Sequence, residues 1–327
     1  MTSPASLNVL LQAAAAAAGG QRFPTGALYV VATPIGNLAD FSLRAIHLLA
    51  LVDAVACEDT RVSGGLLRHL GLDKPLIALH EHNEHSAAHR VLERLSRGER
   101  VAYVSDAGTP AVSDPGAVLV AQARAAGHVV VPLPGASSVV TALSGAGNEG
   151  GQGFHFAAFL PAKGSERLAA LNELLQQRCA CVVFEAPHRI EALVDLLAER
   201  CPGRTVTICR ELTKQFEDLS THRAEDLPDW LAADANRRRG EFVLVLHAPP
   251  AEAVAEGLPA EALRQLAVLQ RDLPLKQAVA LAAELSGAPR NALYQHALAQ
   301  RAQAQAEDEV DASIVQDLPP ASGEDAH

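Results

Sequence analysis

Ser105-Asp-Ala-Gly-Thr-Pro-Ala-Val-Ser-Asp-Pro-Gly116 is the stretch that decides how this chain folds. It directly follows the apolar run Val101–Val104, which reads as a β-strand. An earlier loop, Thr33-Pro-Ile-Gly-Asn37, follows the run Leu28–Ala32 in the same way. A third, Pro134-Gly-Ala-Ser-Ser138, follows Val129–Val131 and opens a helix. Ligands of open α/β sheets collect at the carboxyl ends of the strands. Three Gly/Pro-rich loops at successive strand ends therefore predict a small-molecule cleft built largely of backbone. The first two carry neither G-x-G-x-x-G nor G-x-x-x-x-G-K-[ST], which counts against the commonest nucleotide-binding modes. Any one of the loops alone reads as a tight turn, because turns favour Gly, Pro, Asp and Ser. The three together point to a site.

Working outward, apolar strands alternate with helical segments from Ala27 to about Gly147, the pattern of a mostly parallel sheet. Ala54–Cys57 and Pro75–Leu79 are its other strands, and Leu43–Leu51 and Ala87–Ser96 are among its helices. Gly145–Gly153, with five glycines in nine residues, reads as a linker. A second α/β unit follows, with strands Phe154–Ala158, Cys181–Glu185, Thr205–Cys209 and Glu241–Leu246 and a helix over Arg189–Arg200. The expected organisation is an N-terminal α/β domain over 27–148, a second over 153–248 and a helical extension over 259–300. Its helices are Ala260–Leu269, Leu275–Leu285 and Arg290–Gln300, a helix–turn–helix spacing that serves nucleic acids in some proteins and plain packing in others. The Ala-rich start (1–26) is expected to be an extension, helical or frayed and largely disordered, and the acidic end (301–327) is expected to be disordered.

Composition fits this reading. Eight Phe, three Tyr and one Trp are few for 327 residues, whereas Val, Leu and Ala suit a parallel α/β core. The five cysteines form no C-x-x-C pair, which predicts buried free thiols and a cytoplasmic location. The net charge of −11 argues against nucleic acid only weakly, since seven acids and no Lys or Arg lie after Ala302. Arg237-Arg-Arg239, Arg210 and Lys214 remain as local basic groups that could face phosphate or solvent. No membrane span is expected: the Ala13–Ala18 run is too short and no basic residue precedes it.

The chain resembles the tetrapyrrole-methylase superfamily of S-adenosylmethionine enzymes, and within it the RsmI-type methyltransferases. The resemblance rests on Leu28–Asp40, Glu58-Asp-Thr-Arg61, Leu79-His-Glu-His-Asn-Glu84 and Ser105–Gly116. It continues through Phe159-Leu-Pro-Ala-Lys163, Phe184-Glu-Ala-Pro-His-Arg189, Arg210-Glu-Leu-Thr-Lys214 and Gly240–Val245. It implies two α/β domains with S-adenosylmethionine in the cleft between them. It also implies 2′-O-methylation of the ribose of a decoding-region cytidine in 16S rRNA, in the small ribosomal subunit, by a homodimer.

On this reading the cofactor contacts are Thr33, Pro34, Gly36, Asn37, Ser105, Asp106, Ala107, Gly108, Thr109, Ser137 and Ser138, where glycine permits close backbone approach. Ser137 or Ser138 would take the ligand's carboxylate or cap the helix. Candidates for removing the hydroxyl proton or orienting the 2′-oxygen are Glu58, Lys163 and Glu185. The alternative for the carboxylates is simple pairing with Arg61 or Arg189. Arg61, His82, Asn83, His188, Arg189 and Lys214 are the substrate-facing candidates. His82, His85 and His89 share a helical face at a spacing zinc could use, but only His80, His82, Asn83 and Glu84 belong to the matched pattern, and no metal is expected. Two other functions compete: a tetrapyrrole C-methyltransferase of the same superfamily, and a ribosome-assembly factor that binds RNA without catalysis. The cofactor loops argue against the second.

Overall fold

The computed structural model describes residues 4–149, 153–249 and 258–300. Five strands form the first sheet: β1 (Ala27–Val31), β2 (Ala54–Cys57), β3 (Leu76–Ala78), β4 (Val101–Val104) and β5 (Val129–Leu133). All pair in parallel, in the order β3-β2-β4-β1-β5. β1, β2 and β4 are buried throughout, as continuous apolar runs covered on both faces must be. The helices α2 (Leu43–Leu51), α3 (Thr60–His69), α4 (Glu84–Ser96), α5 (Ala117–Ala125) and α6 (Ser138–Ala146) connect or follow them. Because β4 and β5 flank β1, the loops that follow these three strands lie side by side at one edge.

The second sheet is mixed and has the order β6-β7-β10-β8-β9. Its strands are β6 (Phe154–Phe159), β7 (Ala180–Glu185), β8 (Thr205–Arg210), β9 (Asp218–Arg223) and β10 (Phe242–Leu246), with α7 (Gly164–Leu175), α8 (Ile190–Arg200) and α9 (Leu227–Ala232) beside them. α6 joins the two sheets. Its Val139, Ala142 and Ala146 pack with Val182, Cys209, Val243 and Val245 of the second sheet in one apolar cluster. The linker expected from Gly145 therefore starts later, since Gly145 and Ala146 belong to the helix. Gly147 ends it in the left-handed conformation (φ 67°), which glycine adopts without the Cβ penalty.

The Ala-rich start departs from the expectation of disorder. Pro4–Ala18 is a helix, α1, whose Ala14 is fully buried and whose Leu10 and Leu11 pack against the core of the first sheet. Small residues let it sit close to α2. The chain after 249 forms a separate compact unit. Its helices Ala260–Leu269 and Leu275–Ser286, with a further helical stretch over 290–300, enclose a core that includes Leu266, Val279 and Leu293. The acidic end lies outside the described residues. Among the described residues, no helix is long and apolar enough to cross a membrane. The described cysteines are free, and burial pushes the Cys209 thiol up to about 12.

Candidate active site

The loops after β1 and β4 are tied by a reciprocal backbone pair. Thr33 N donates to Gly108 O (2.9 Å) and Gly108 N to Thr33 O (3.0 Å). The Thr33 hydroxyl donates to Ser105 O at 3.2 Å, and Thr109 Oγ1 reaches Ala136 O at 3.0 Å, which fastens the third loop to the second. Gly108 sits at φ +83° with Ile35 close beside it. The Ser105 hydroxyl turns back onto Ala107 O and Gly108 O. The buried Thr33 and Ser105 side chains thus build the loops. Ile35, Ala107 and Ser138 present themselves to a cavity of about 380 Å³.

The opposite wall of that cavity comes from the second sheet: Phe159, Phe184, Leu212 and Val243, with Glu185 and Glu241. Phe159 and Phe184 meet edge-on, centroids 5.5 Å apart. Gly36 shows how closely the two halves approach, since a Cβ there would come within 2.6 Å of Lys214 Cγ. Lys214 Nζ lies 2.9 Å from Glu211 Oε1 and 3.2 Å from Glu241 Oε2. Burial works against its charge, but these carboxylates hold the ammonium above its ordinary range. Asn37 is exposed and caps the short turn Leu38–Asp40 by accepting from Ala39 N, and Pro34 is half-buried between it and Thr33.

Glu58 and Asp106 follow β2 and β4, so adjacent strands deliver them to the same edge. Burial, then the Asp106 and Asp114 carboxylates, raise the Glu58 carboxyl above the usual carboxylate range. Asp106 Oδ1 accepts from Asp59 N at 3.1 Å. Asp59 itself is held down at about 2 by its hydrogen bonds from Arg61. Arg61, one of the substrate-facing candidates, is folded onto Asp59 in this way (2.6 Å) and otherwise faces solvent.

Glu185 pairs with Arg189, the alternative its sequence context offered, and with Arg167 besides. Its fully buried carboxylate lies 2.9 Å from Arg167 Nη2 and 2.9 Å from Arg189 Nε, and also accepts from Ala186 N. Arg189 Nη2 in turn donates to Leu160 O (2.6 Å) and Arg167 Nη1 to Ala162 O (3.3 Å). Bracketed by two guanidinium groups, the carboxylate forms a trio that staples the loop carrying the exposed Lys163, and Arg189 is committed to it. His188 is exposed beside Pro187 on the cavity rim.

In the Leu79–Glu84 segment, Asn83 accepts from His80 N (2.9 Å) and donates to Ala78 O (3.1 Å), so its amide shapes the turn. Glu84 accepts from Gly116 N (2.7 Å) and Val118 N (3.1 Å) and caps α5 from outside. His82 is exposed. Ser137 occupies the N-cap position of α6, but its hydroxyl makes no capping bond. Among the described residues, no three His, Cys, Asp or Glu side chains gather as a metal-holding group. The wall residues Ile35, Phe159, Phe184, Leu212 and Val243 escaped the sequence reading, because apolar strand-end residues look the same whether they face a core or a cavity.

Residues 27–228 match the family model of tetrapyrrole (corrin/porphyrin) methylases, and residues 256–301 match the RsmI C-terminal HTH domain. Ribosomal RNA small subunit methyltransferase I of Escherichia coli O157:H7 is 47% identical over 277 residues, covering 84% of this chain and 96% of that protein. The protein of the same name from Haemophilus influenzae is 44% identical over 276 residues, covering 84% and 97%. Among solved structures, the cobalt precorrin-4 methyltransferase superimposes with a TM-score of 0.51 at 18% identity, covering 69% of this chain and 98% of that one. At that identity the likeness speaks for the fold.

Proposed function

Because the chain belongs to the tetrapyrrole methylase family, in the group with ribosomal RNA small subunit methyltransferase I, we propose that it methylates the ribose 2′-hydroxyl of a decoding-region cytidine in 16S rRNA. S-adenosylmethionine is the methyl donor and the small ribosomal subunit the substrate. The reading is carried by the cleft between the three stitched loops and the second sheet. Its volume lies in the range of small-ligand sites, about 300–1,000 Å³. An apolar wall of Phe159, Phe184 and Leu212 suits an adenine ring. The loop backbone at Ile35 and Ala107 and the opening of α6 at Ser138 suit polar and anionic groups. The residues present thus fit the group.

When bound, S-adenosylmethionine supplies a methyl carbon already activated by positive sulfur. What this chain adds is alignment and removal of a proton. The Ile35 and Ala107 loops position the donor from one side, and the Phe159 and Phe184 wall excludes water from the other. Of the three candidates for the proton, Glu185 is committed to its arginines. Glu58, whose carboxyl is raised, is the group we assign to accept it or to orient the 2′-oxygen, since a base with a raised value works closer to neutral pH. Lys163, held by the stapled loop, and His82, His188 and Lys214 are assigned to the RNA side. The carbons of Lys214 close the gap at Gly36. The reduced thiols accord with a cytoplasmic enzyme, and the family with a homodimer.

Labelled S-adenosylmethionine incubated with unmodified small subunits, with their naked RNA and with a tetrapyrrole tests this. Label in the RNA is expected. Label in the tetrapyrrole alone would move the protein to the C-methylating branch.

A further inference from the structure

A second cavity, of about 600 Å³, opens beside the first and is bounded by Arg210, Glu211, Phe216, Asn236, Arg239 and Gly240. The two share a wall: Leu212 and Glu241 face the first cavity, while their chain neighbours Glu211 and Gly240 face the second. We infer that this second cavity is a nucleotide subsite, in which Phe216 stacks on a base flanking the reacting nucleotide and Arg239, with Arg210, takes a backbone phosphate. The inference rests on the RNA reading above.

Three observations carry it. Phe216 is 67% exposed in a chain poor in aromatics, and it has no aromatic neighbour among the described residues. A large ring is held in water here by a loop built at a cost. Glu211 and Thr213 are non-glycine residues in the left-handed region, at φ 52° and 65°. Such backbone persists where its surroundings over-determine it, as at ligand-holding sites. Here Glu217 Oε2 accepts from Thr213 N (2.5 Å), and Glu211 accepts from both Lys214 Nζ and Glu241 N (2.9 Å each).

The second observation concerns charge. Within Arg237-Arg-Arg239, Arg237 stacks on Trp230 at 4.7 Å and donates to its carbonyl, while Arg238 lies 3.5 Å from Glu191. Arg239 makes no ion pair among the described residues. Arg210 is likewise unpaired there, and its buried Nε has no hydrogen-bond partner. Of the acids at the cavity, Glu211 is paired with Lys214, while Asp234 accepts from Asn236 N at 2.8 Å and makes no ion pair among the described residues. Two arginines against one such carboxylate leave the balance of open charge cationic, beside an aromatic face. Together they are the two elements with which proteins hold single-stranded nucleic acid.

The third is continuity. Adjacent cavities across one peptide wall suit adjacent nucleotides of one strand, and a bare phosphate would have no use for the ring.

Phe216→Ala, Phe216→Trp and Arg239→Ala test the subsite with two readouts. In methyl transfer to small subunits, Phe216→Ala is expected to raise KM for RNA roughly tenfold with kcat little changed. Phe216→Trp, which keeps a stacking face, should restore it. Arg239→Ala should weaken binding and flatten its salt dependence by about one unit of slope. Affinity for S-adenosylmethionine should be unchanged in all three. The second readout is binding of a single-stranded oligoribonucleotide without methyl donor. Reduced binding by Phe216→Ala upholds the subsite even if the wild type methylates no RNA, a result that would overturn the function reading alone. Wild-type binding and salt slope in both alanine variants would overturn the subsite.

Discussion

At the scale of single residues, two glutamates at strand ends have opposite surroundings. Glu58 is partly buried among Asp106 and Asp114, so its carboxyl is raised; Glu185 is fully buried between two arginines. Glu58→Gln should lower kcat by roughly 10²–10⁴-fold if it takes the proton, with affinity for S-adenosylmethionine little altered. It should also stabilise the fold, with a definite sign in pH. A folded-state value above the unfolded one means that ionisation works against the fold as pH rises through the raised value. The melting temperature of the variant should therefore gain on the wild type between acidic and neutral pH; a constant gap in parallel melts would show that Glu58 is unperturbed. Glu185→Ala leaves the buried guanidinium of Arg167 and the partly buried one of Arg189 without their anion, which should destabilise by about 3–5 kcal/mol in denaturant melts. The pairing of Glu185 with Arg189 was legible in the chain, but its second arginine and the acidic neighbours of Glu58 were not. Glu185 meets Arg167 from 18 positions away, and Thr33 meets Ser105 from 72. Both glutamates stand in similar strand-end contexts, so only the folded neighbourhood separates them.

At the scale of elements, α6 matters most, because its N-terminus opens on the cleft while its buried face fixes the second sheet. Ala142 is fully buried at that contact. Ala142→Leu should cost about 1–3 kcal/mol by overpacking and should weaken S-adenosylmethionine binding through displacement of Ser138, as calorimetry would show. Val140→Ala, on the exposed face, should change neither. Glu84→Ala removes the cap of α5 and should cost about 1 kcal/mol, read from thermal melts. The strands of the first sheet were legible because buried parallel strands are unbroken apolar runs punctuated by Gly and Pro. β9 was not: Asp-Leu-Ser-Thr-His-Arg has one apolar residue and lies at the sheet edge, where β8 alone supplies its pairing. α1 was legible as a helix but not as a packed one. Its alanines carry little amphipathic signal, yet their small size is what lets the helix pack closely.

At the scale of the molecule, a parallel sheet presents three loops, a mixed sheet presents an aromatic wall, and one helix joins them around a cleft. A fold of this kind serves several methyl acceptors, so the acceptor must come from the surface around the cleft. Transfer to a ribose oxygen sets the proposed reaction apart from methylation at carbon or nitrogen. It is tested most directly by digesting small-subunit RNA to nucleosides after reaction with the protein and labelled S-adenosylmethionine, then separating the products. Label is expected in 2′-O-methylcytidine from one site. Label in a base-methylated nucleoside, or none in RNA, would contradict it.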